Sequence, residues 1–186
     1  MNAQTPNPFP PSPYSSAIGK SKLESHTLSV LVDNEPGVLA RVVGLFSGRG
    51  YNIESLTVAE VAHEEHRSRI TIVTTGTPEV IEQISHQLER IVPIHKVTDL
   101  TLVGRAIQRE LAMVKVRGKS DARMEALRLA DAFRARVIDA TTESFVFELT
   151  GASRKIDDFI ELMRPIGLVE VSRTGVAAIS RGPEPI

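Results

Sequence analysis

The chain has 186 residues, of which 41% are hydrophobic and 24% are charged, with 22 Lys and Arg against 23 Asp and Glu. This composition is ordinary for one or two small globular domains, and a net charge of −1 gives no electrostatic reason to expect binding to nucleic acid or to an anionic membrane. Cysteine is absent, which excludes disulfides and thiolate chemistry, and no apolar run reaches the length of a transmembrane helix.

Residues 1–25 are rich in proline and serine and are predicted to form a disordered tail. Such a segment buries too little apolar surface to offset the entropy lost on ordering. A proline-motif ligand is the alternative interpretation. The segment lacks the apolar stretch of a secretory signal and the arginines of an organellar transit peptide, so we expect a cytoplasmic protein.

Residues 28–56 are predicted to form a strand, a glycine turn, a helix and the start of a second strand. Alternating aliphatic residues predict the first strand: Leu28, Val30 and Val32. Apolar residues at helical spacing predict the core stripe of the helix: Leu39, Val42, Val43 and Phe46. Gly50 suits a left-handed helix cap, and Asn52 is predicted to open the second strand.

The start of this helix has the chemistry of an anion-binding site. The first N–H groups of a helix lack internal partners and lie at the positive end of its dipole. Gly37 has no side chain, so a carboxylate could approach the N–H groups of Gly37, Val38 and Leu39, while Asn34 and Asn52 supply amides for the rest of a small zwitterion. The structural alternative is that Gly37 only makes the turn and Asn34 only caps the helix.

Residues 26–102 as a whole are predicted to follow the order β-α-β-β-α-β, which is a ferredoxin-like arrangement. The second helix is marked by Thr77 as its N-cap and by Pro78 at its first position. Helices in this arrangement cover only one face of the sheet. The strand edges or the other face are therefore available to a partner.

Residues 103–109 are predicted to be a linker, and residues 110–182 repeat the same order of elements, ending in a short apolar segment at residues 176–179. The predicted fold class is therefore α+β, with two ferredoxin-like βαββαβ units. The second unit has no equivalent of the Asn-Glu-Pro-Gly turn, so only the first is predicted to bind an effector.

No arrangement of residues predicts a catalytic or metal site. His63 and His66 form an H-x-x-H pair, but a hairpin tip places such a pair poorly for chelation and no third ligand is near in sequence, so a solvated turn is favoured. An RNA-binding sheet would share the β-α-β-β-α-β order but needs aromatic residues on its middle strands. Valines and threonines are found there instead.

The run DNEPGVLARVVGLFSGRGYNIESLTVA, which begins at Asp33, resembles the regulatory small subunit of acetolactate synthase (acetohydroxyacid synthase). The shorter Asn-Glu-Pro-Gly-Val-Leu segment resembles the start of an ACT domain, a small amino-acid-sensing module. Later segments extend the resemblance over residues 26–182, among them SRITIVTTG, FRARVID and VSRTGVAAISRG.

The resemblance implies a non-catalytic subunit that activates a large catalytic subunit and confers feedback inhibition, typically by valine, in branched-chain amino-acid synthesis. That partner would carry thiamine diphosphate, Mg²⁺ and FAD, and this chain would carry no cofactor. The resemblance also implies a homodimer formed through the ACT domains, with an effector site shared between two subunits. Its residues would be Asn34, Gly37, Val38 and Leu39 of one subunit and Asn52 and Ile53 of the partner subunit.

Two questions stay open at this point. The chain could be a stand-alone ACT regulator of another enzyme of amino-acid metabolism, or an RNA-binding or structural pair of ferredoxin-like units. The choice among valine, leucine and isoleucine is also open, because Ile53 and its neighbours would accept any branched aliphatic group and one methylene changes binding by only about 1–3 kcal/mol.

Overall fold

A computed structural model describes residues 22–62, 64–102 and 106–183, and in it the chain forms two βαββαβ units, which confirms the predicted fold class. The elements of the first unit are β1 (Glu24–Asp33), α1 (Val38–Arg49), β2 (Ser55–Ala62), β3 (Arg67–Gly76), α2 (Pro78–Glu89) and β4 (Ile94–Asp99). Those of the second are β5 (Ile107–Arg117), α3 (Ser120–Phe133), β6 (Arg136–Ala140), β7 (Ser144–Gly151), α4 (Ser153–Gly167), β8 (Leu168–Arg173) and β9 (Ala177–Ile179). The predicted tail up to residue 21, His63 and residues 103–105 of the predicted linker lie outside the described residues.

The first sheet has the strand order β2-β3-β1-β4, with antiparallel neighbours. Because β3 pairs antiparallel with both β1 and β2, the latter two strands run in the same direction. Alternate residues of the central strands face the two helices and pack with the buried faces of α1 and α2. This core contains Leu28, Val30, Val32, Val38, Val42, Phe46, Ile70, Ile72, Ile81, Ile84 and Leu88.

The second sheet repeats this order as β6-β7-β5-β8. Its core packs strands β5 and β7 against α3 and α4, with Phe147 and Phe159 in edge-to-face contact at a centroid distance of 6.2 Å. Strand β9 pairs with the first three residues of β5, outside the main path of this sheet. The β5–β9 pair is therefore a ribbon that extends beyond the second unit.

The helix-free face of the first sheet is covered in part by the second unit. Thr27, on that face of β1, is only 3% exposed, and its N–H donates to Thr101 Oγ1 at 2.9 Å. Gln108 Nε2 donates to Thr27 Oγ1 at 3.1 Å. A small apolar cluster of Leu100, Val176 and Ala178 fills the contact. The sequence predicted that this helix-free face could be available to a partner. The second unit of the same chain covers part of it.

The predicted core stripe of α1 was right for Val42 and Phe46 and wrong for Leu39 and Val43, and it missed Val38. Val38, Val42 and Phe46 are buried at 2% exposure or less, whereas Leu39 and Val43 are 41% and 37% exposed. The buried residues and the exposed residues both fit helical spacing. The direction in which the chain enters α1 through the Gly37 turn decides which of the two groups faces the sheet. Leu39 and Val43 instead form an apolar strip on the outer face of α1.

Two strands are longer than predicted, and Asn52 does not open β2. Strand β1 begins at Glu24, which pairs with Gly76, inside the range predicted as tail. Strand β5 begins at Ile107, inside the predicted linker, because its first residues pair with β9. The β2 ladder begins at Ser55, so Asn52 lies in the connection before that strand.

Candidate functional site

The turn between β1 and α1 is open at Gly37. Gly37 is the N-cap of the helix with φ of +87°, a left-handed conformation in which glycine has no steric penalty. A Cβ placed on it would meet nothing within 4 Å beyond its two chain neighbours, so the space beside this position is open among the described residues. Asn34 is not the helix cap that the structural alternative proposed, since the helix has no side-chain cap hydrogen bond.

The first N–H groups of α1 are largely free. The N–H of Val38 donates to Glu35 O at a long 3.4 Å, and the N–H of Arg41 begins the helical pattern by donating to Gly37 O at 3.0 Å. Within the described part of the chain, no hydrogen bond is made by the N–H of Gly37 or of Leu39. Exposed free amides at the positive end of a helix dipole can bind a carboxylate.

Asn52 and Ile53 lie beyond the other end of the same helix. Gly50 ends α1 in the left-handed conformation that the sequence predicted, with φ of +70°. The backbone carbonyl of Asn52 then accepts a 2.6 Å hydrogen bond from Thr74 Oγ1, which fixes the peptide while the Asn52 side chain stays exposed. Ile53 is half-buried and packs at the edge of the first core.

A single chain does not bring the predicted site residues together. Asn34 lies at the end of the sheet where its N–H donates to His66 O at 2.6 Å, whereas Asn52 is tied to Thr74 near the opposite end. The 12 residues of α1 separate these groups by about 18 Å at 1.5 Å per residue. One ligand the size of an amino acid cannot reach both groups within one copy.

The strand that follows Asn52 is an unpaired edge. Strand β2 occupies the end of the first sheet and pairs only with β3 among the described strands. Val58 and Val61 of this strand are 46% and 47% exposed. An exposed, apolar edge strand is a template for pairing with another strand.

Comparisons with known proteins agree over both units. A family model described as an AHAS small subunit-like ACT domain matches residues 28–96, and one described as the small subunit of acetolactate synthase matches residues 109–182. A probable acetolactate synthase small subunit from Archaeoglobus fulgidus is 45% identical over 157 residues, which are 84% of this chain and 97% of that protein. The chain belongs to the acetolactate synthase small-subunit family. This membership supports a regulatory-subunit role and association with the large subunit of that enzyme.

Further similarities support the assignment to the acetolactate synthase small-subunit family. The small subunit from Aquifex aeolicus is 44% identical over 170 residues, which are 91% of this chain and 88% of that protein. The crystal structure of the small subunit from Thermotoga maritima superimposes with a TM-score of 0.78 at 38% identity, over 87% of this chain and 99% of that one. In the described part of this family member, no helix is both long and apolar enough to cross a membrane.

The sequence analysis missed the junction through which the second unit of this small-subunit family member contacts β2. The Val176 N–H donates to Ser55 Oγ at 2.9 Å, and Thr57 Oγ1 donates to Val176 O at 2.8 Å. Gly175 precedes them with φ of +82°, and a Cβ there would lie 2.7 Å from Ser55 Oγ. The junction therefore begins two residues after Ile53. Its only sequence signal was the short apolar segment at residues 176–179.

A partly buried ion pair holds the chain just before this junction. Arg173 donates to both carboxylate oxygens of Glu110, at 2.7 and 2.6 Å, and also to Asp157 at 2.6 Å. The Glu110 side chain is only 4% exposed. The hydrogen bonds from Arg173 outweigh burial and lower the pKa of Glu110 below its ordinary value of 4.5. Because the pKa of Glu110 is lower in the folded chain than in the unfolded chain, Glu110 stabilises the fold at pH values above its unfolded-state pKa. This stabilisation is lost as the pH falls through the folded-state pKa.

We expect Glu110→Gln to lower the free energy of unfolding at pH 7 by about 1–3 kcal/mol, because one partner of a partly buried charge pair is lost while Arg173 keeps Asp157. The difference from the unmodified chain should shrink below pH 4.5 as Glu110 is protonated. Urea unfolding measured from pH 7 to pH 3 tests this. Glu170→Gln is the control, since Glu170 pairs with Lys115 at the surface and should change stability less at pH 7. A pH-independent effect of Glu110→Gln would contradict the assignment.

Proposed function

We propose that this chain is the regulatory subunit that activates the large catalytic subunit of acetolactate synthase and makes it sensitive to feedback inhibition by valine. Membership of the small-subunit family is the observation that carries the proposal. The catalytic partner would carry thiamine diphosphate, Mg²⁺ and FAD, and the complex would act in the cytoplasm. The open Gly37 turn supports a ligand-binding role for the first unit.

We propose a homodimer in which the β2 strands of two copies pair antiparallel about a two-fold axis. Such pairing places the start of β2 in one copy beside the end of β2 in the other. The end of β2 lies near the Gly37 turn, because Ala62 and Asp33 both pair with Arg67. Asn52 of one copy would therefore approach the free amides of the other. The separation of about 18 Å between the Gly37 turn and Asn52 within one chain supports a site that needs two copies.

In this dimer each half of the site has a distinct role. The N–H groups of Gly37, Val38 and Leu39 would receive the valine carboxylate at the helix start. Asn34 of the same copy and Asn52 of the partner subunit would bind the polar end of the ligand, and Ile53 of the partner subunit would contact its aliphatic side chain. The exposed strip of Leu39 and Val43 supports this arrangement, since it gives the outer face of α1 an apolar surface next to the turn.

We expect Asn52→Ala to weaken valine binding by about 1–3 kcal/mol, because a polar group of the ligand loses its hydrogen-bond partner. Calorimetric titration of valine into the purified dimer measures the change. The Asn52 carbonyl keeps its bond from Thr74, so the substitution removes only the side-chain amide. Gln83→Ala, which removes an exposed amide from α2, is the control and should leave the affinity unchanged. Equal affinities of Asn52→Ala and the unmodified chain would remove Asn52 from the site.

Reconstitution with a large subunit tests the function as a whole. Acetolactate formation by a thiamine-diphosphate-dependent large subunit is measured alone, with this chain, and with this chain plus valine. We expect this chain to raise the rate and valine to reverse the increase. A coupling free energy of about 1–3 kcal/mol between valine binding and large-subunit binding is sufficient for this inhibition. By thermodynamic reciprocity, binding of the large subunit must change the valine affinity by the same factor by which valine changes the affinity for the large subunit. Co-purification with a different enzyme, without any effect on acetolactate formation, would contradict the proposal.

A further inference from the structure

A cavity lies between the two units, apart from the Gly37 turn. One wall is the helix-free face of β2 and β3, and the other is the β5–β9 ribbon, in which Ile107 pairs with Ile179. Its volume is about 370 Å³, within the usual size of a small-molecule site. We call it the ribbon groove.

The walls of the ribbon groove are mainly aliphatic. Val61, Ile107 and Ile179 line it and are 47%, 37% and 53% exposed. Ala178, only 4% exposed, closes its floor. Aliphatic side chains that stay exposed beside a cavity favour an apolar occupant, because covering them removes apolar surface from water.

Two arginines without acidic partners also line the ribbon groove. Arg69 projects from β3, and its Nε is buried without a hydrogen-bond partner. Arg109 donates from Nη1 to Gln108 O at 2.7 Å. No acid lines the groove, and neither guanidinium forms an ion pair with any acid among the described residues. A buried donor without an acceptor is unfavourable, and an anion placed against the guanidinium removes that cost.

We propose that the ribbon groove binds an aliphatic monocarboxylate, with its carboxylate at Arg69 and Arg109 and its hydrocarbon chain against Val61, Ile107 and Ile179. The charge of the groove selects for an anion and against the ammonium group of an amino acid, so this site is distinct from the proposed valine site. A protein partner is disfavoured because a stable interface needs about 800 Å² on each side, whereas the exposed apolar rim consists of three side chains.

Calorimetric titration of the full chain with octanoate tests the proposal, with octylammonium and valine as probes of the head group. We expect octanoate to bind and octylammonium not to bind, because their hydrocarbon chains are similar and their charges are opposite. Saturating octanoate should leave the valine titration unchanged. Absence of octanoate binding, or comparable binding of octylammonium, would overturn the proposal.

Variants locate the binding to the ribbon groove. Arg69→Met keeps an unbranched side chain without the charge and should weaken octanoate binding about tenfold or more. Arg67→Met is the matched control, since Arg67 lies two residues away on β3, pairs with Glu65 at 2.6 Å, and is outside the groove. Equal losses of octanoate affinity in Arg69→Met and Arg67→Met, or no loss in Arg69→Met, would overturn the assignment of octanoate binding to the ribbon groove.

A second variant covers the case in which Arg69→Met does not fold. Ile179→Glu places an acid at an exposed position of the groove and should abolish octanoate binding by repulsion, with an unchanged circular dichroism spectrum. Sedimentation velocity of this variant tests the other occupant, a second copy of the chain. Dissociation of a dimer by Ile179→Glu, together with failure of octanoate to bind the unmodified chain, would assign the groove to the dimer interface and overturn the proposal.

Discussion

Replacing Gly37 with aspartate is expected to abolish valine inhibition. The free N–H groups at the start of α1 face the position proposed for the ligand carboxylate, and a Cβ at residue 37 points into open space. A second carboxylate about 4 Å away would repel the ligand by about 4 kcal/mol at an effective dielectric constant of about 20. The valine affinity should therefore fall by about a hundredfold or more. Inhibition curves of the reconstituted enzyme and calorimetry on the chain alone measure the loss.

Gly37→Asn is the matched control for this substitution. Asparagine has nearly the same shape as aspartate and shares its tolerance for the left-handed conformation, with φ of +87° here, but it carries no charge. A larger loss of valine affinity in Gly37→Asp than in Gly37→Asn would show that charge repulsion, and not the added side-chain volume, weakens valine binding. If both variants lost activation of the large subunit together with valine inhibition, the result would contradict a local ligand site.

Gly167→Ala is expected to destabilise the second unit severely. Gly167 ends α4 with φ of +130°, and a Cβ there would lie 2.1 Å from the backbone carbonyl oxygen of Arg117 on β5. A backbone atom cannot turn away as a flexible side chain can, so α4 and β5 would have to separate. We expect the free energy of unfolding to fall by more than about 3 kcal/mol, because an unfavourable φ and a backbone clash add.

Urea unfolding followed by circular dichroism tests this prediction, and hydrogen exchange locates the effect. Gly50→Ala is the control, because Gly50 also has positive φ, at +70°, but a Cβ there meets nothing within 4 Å. Gly50→Ala should lower the free energy of unfolding by about 1 kcal/mol, from conformational strain alone. Faster exchange in Gly167→Ala should be confined to the second unit, including α4, β5, β7 and β8. Equal unfolding midpoints of the two variants would contradict the role of the close contact.

The order of the elements could be predicted because it depends on local patterns. Alternating Leu28, Val30 and Val32 identified β1, and Gly50 identified the end of α1, since each signal lies within a few residues in sequence. The buried face of α1 could not be chosen in this way. Val38 and Leu39 are both aliphatic, and only the direction of the chain through Gly37 decides which of them faces the sheet.

The candidate site could be predicted only in part, for a related reason. The glycine turn and its free amides are local features, so the sequence indicated them. The junction of Ser55 and Thr57 with Val176 joins residues more than a hundred positions apart, and hydroxyl side chains on a strand carry no signal of a distant partner. The proposed arrangement of two copies is not encoded in any local pattern, and the proposal rests on the exposed edge of β2.

The contact of Val176 with Ser55 and Thr57 limits how this protein can be recombined with its relatives. A chimera that takes its first unit from another family member and its second from this chain would join a foreign β2 to the native segment around Gly175. Ser55 and Thr57 would have to be kept, and the space beside them left free, because Gly175 closely approaches both residues. The two units are therefore expected to tolerate exchange when Ser55 and Thr57 are kept, or when the segment around Gly175 is transplanted together with the first unit.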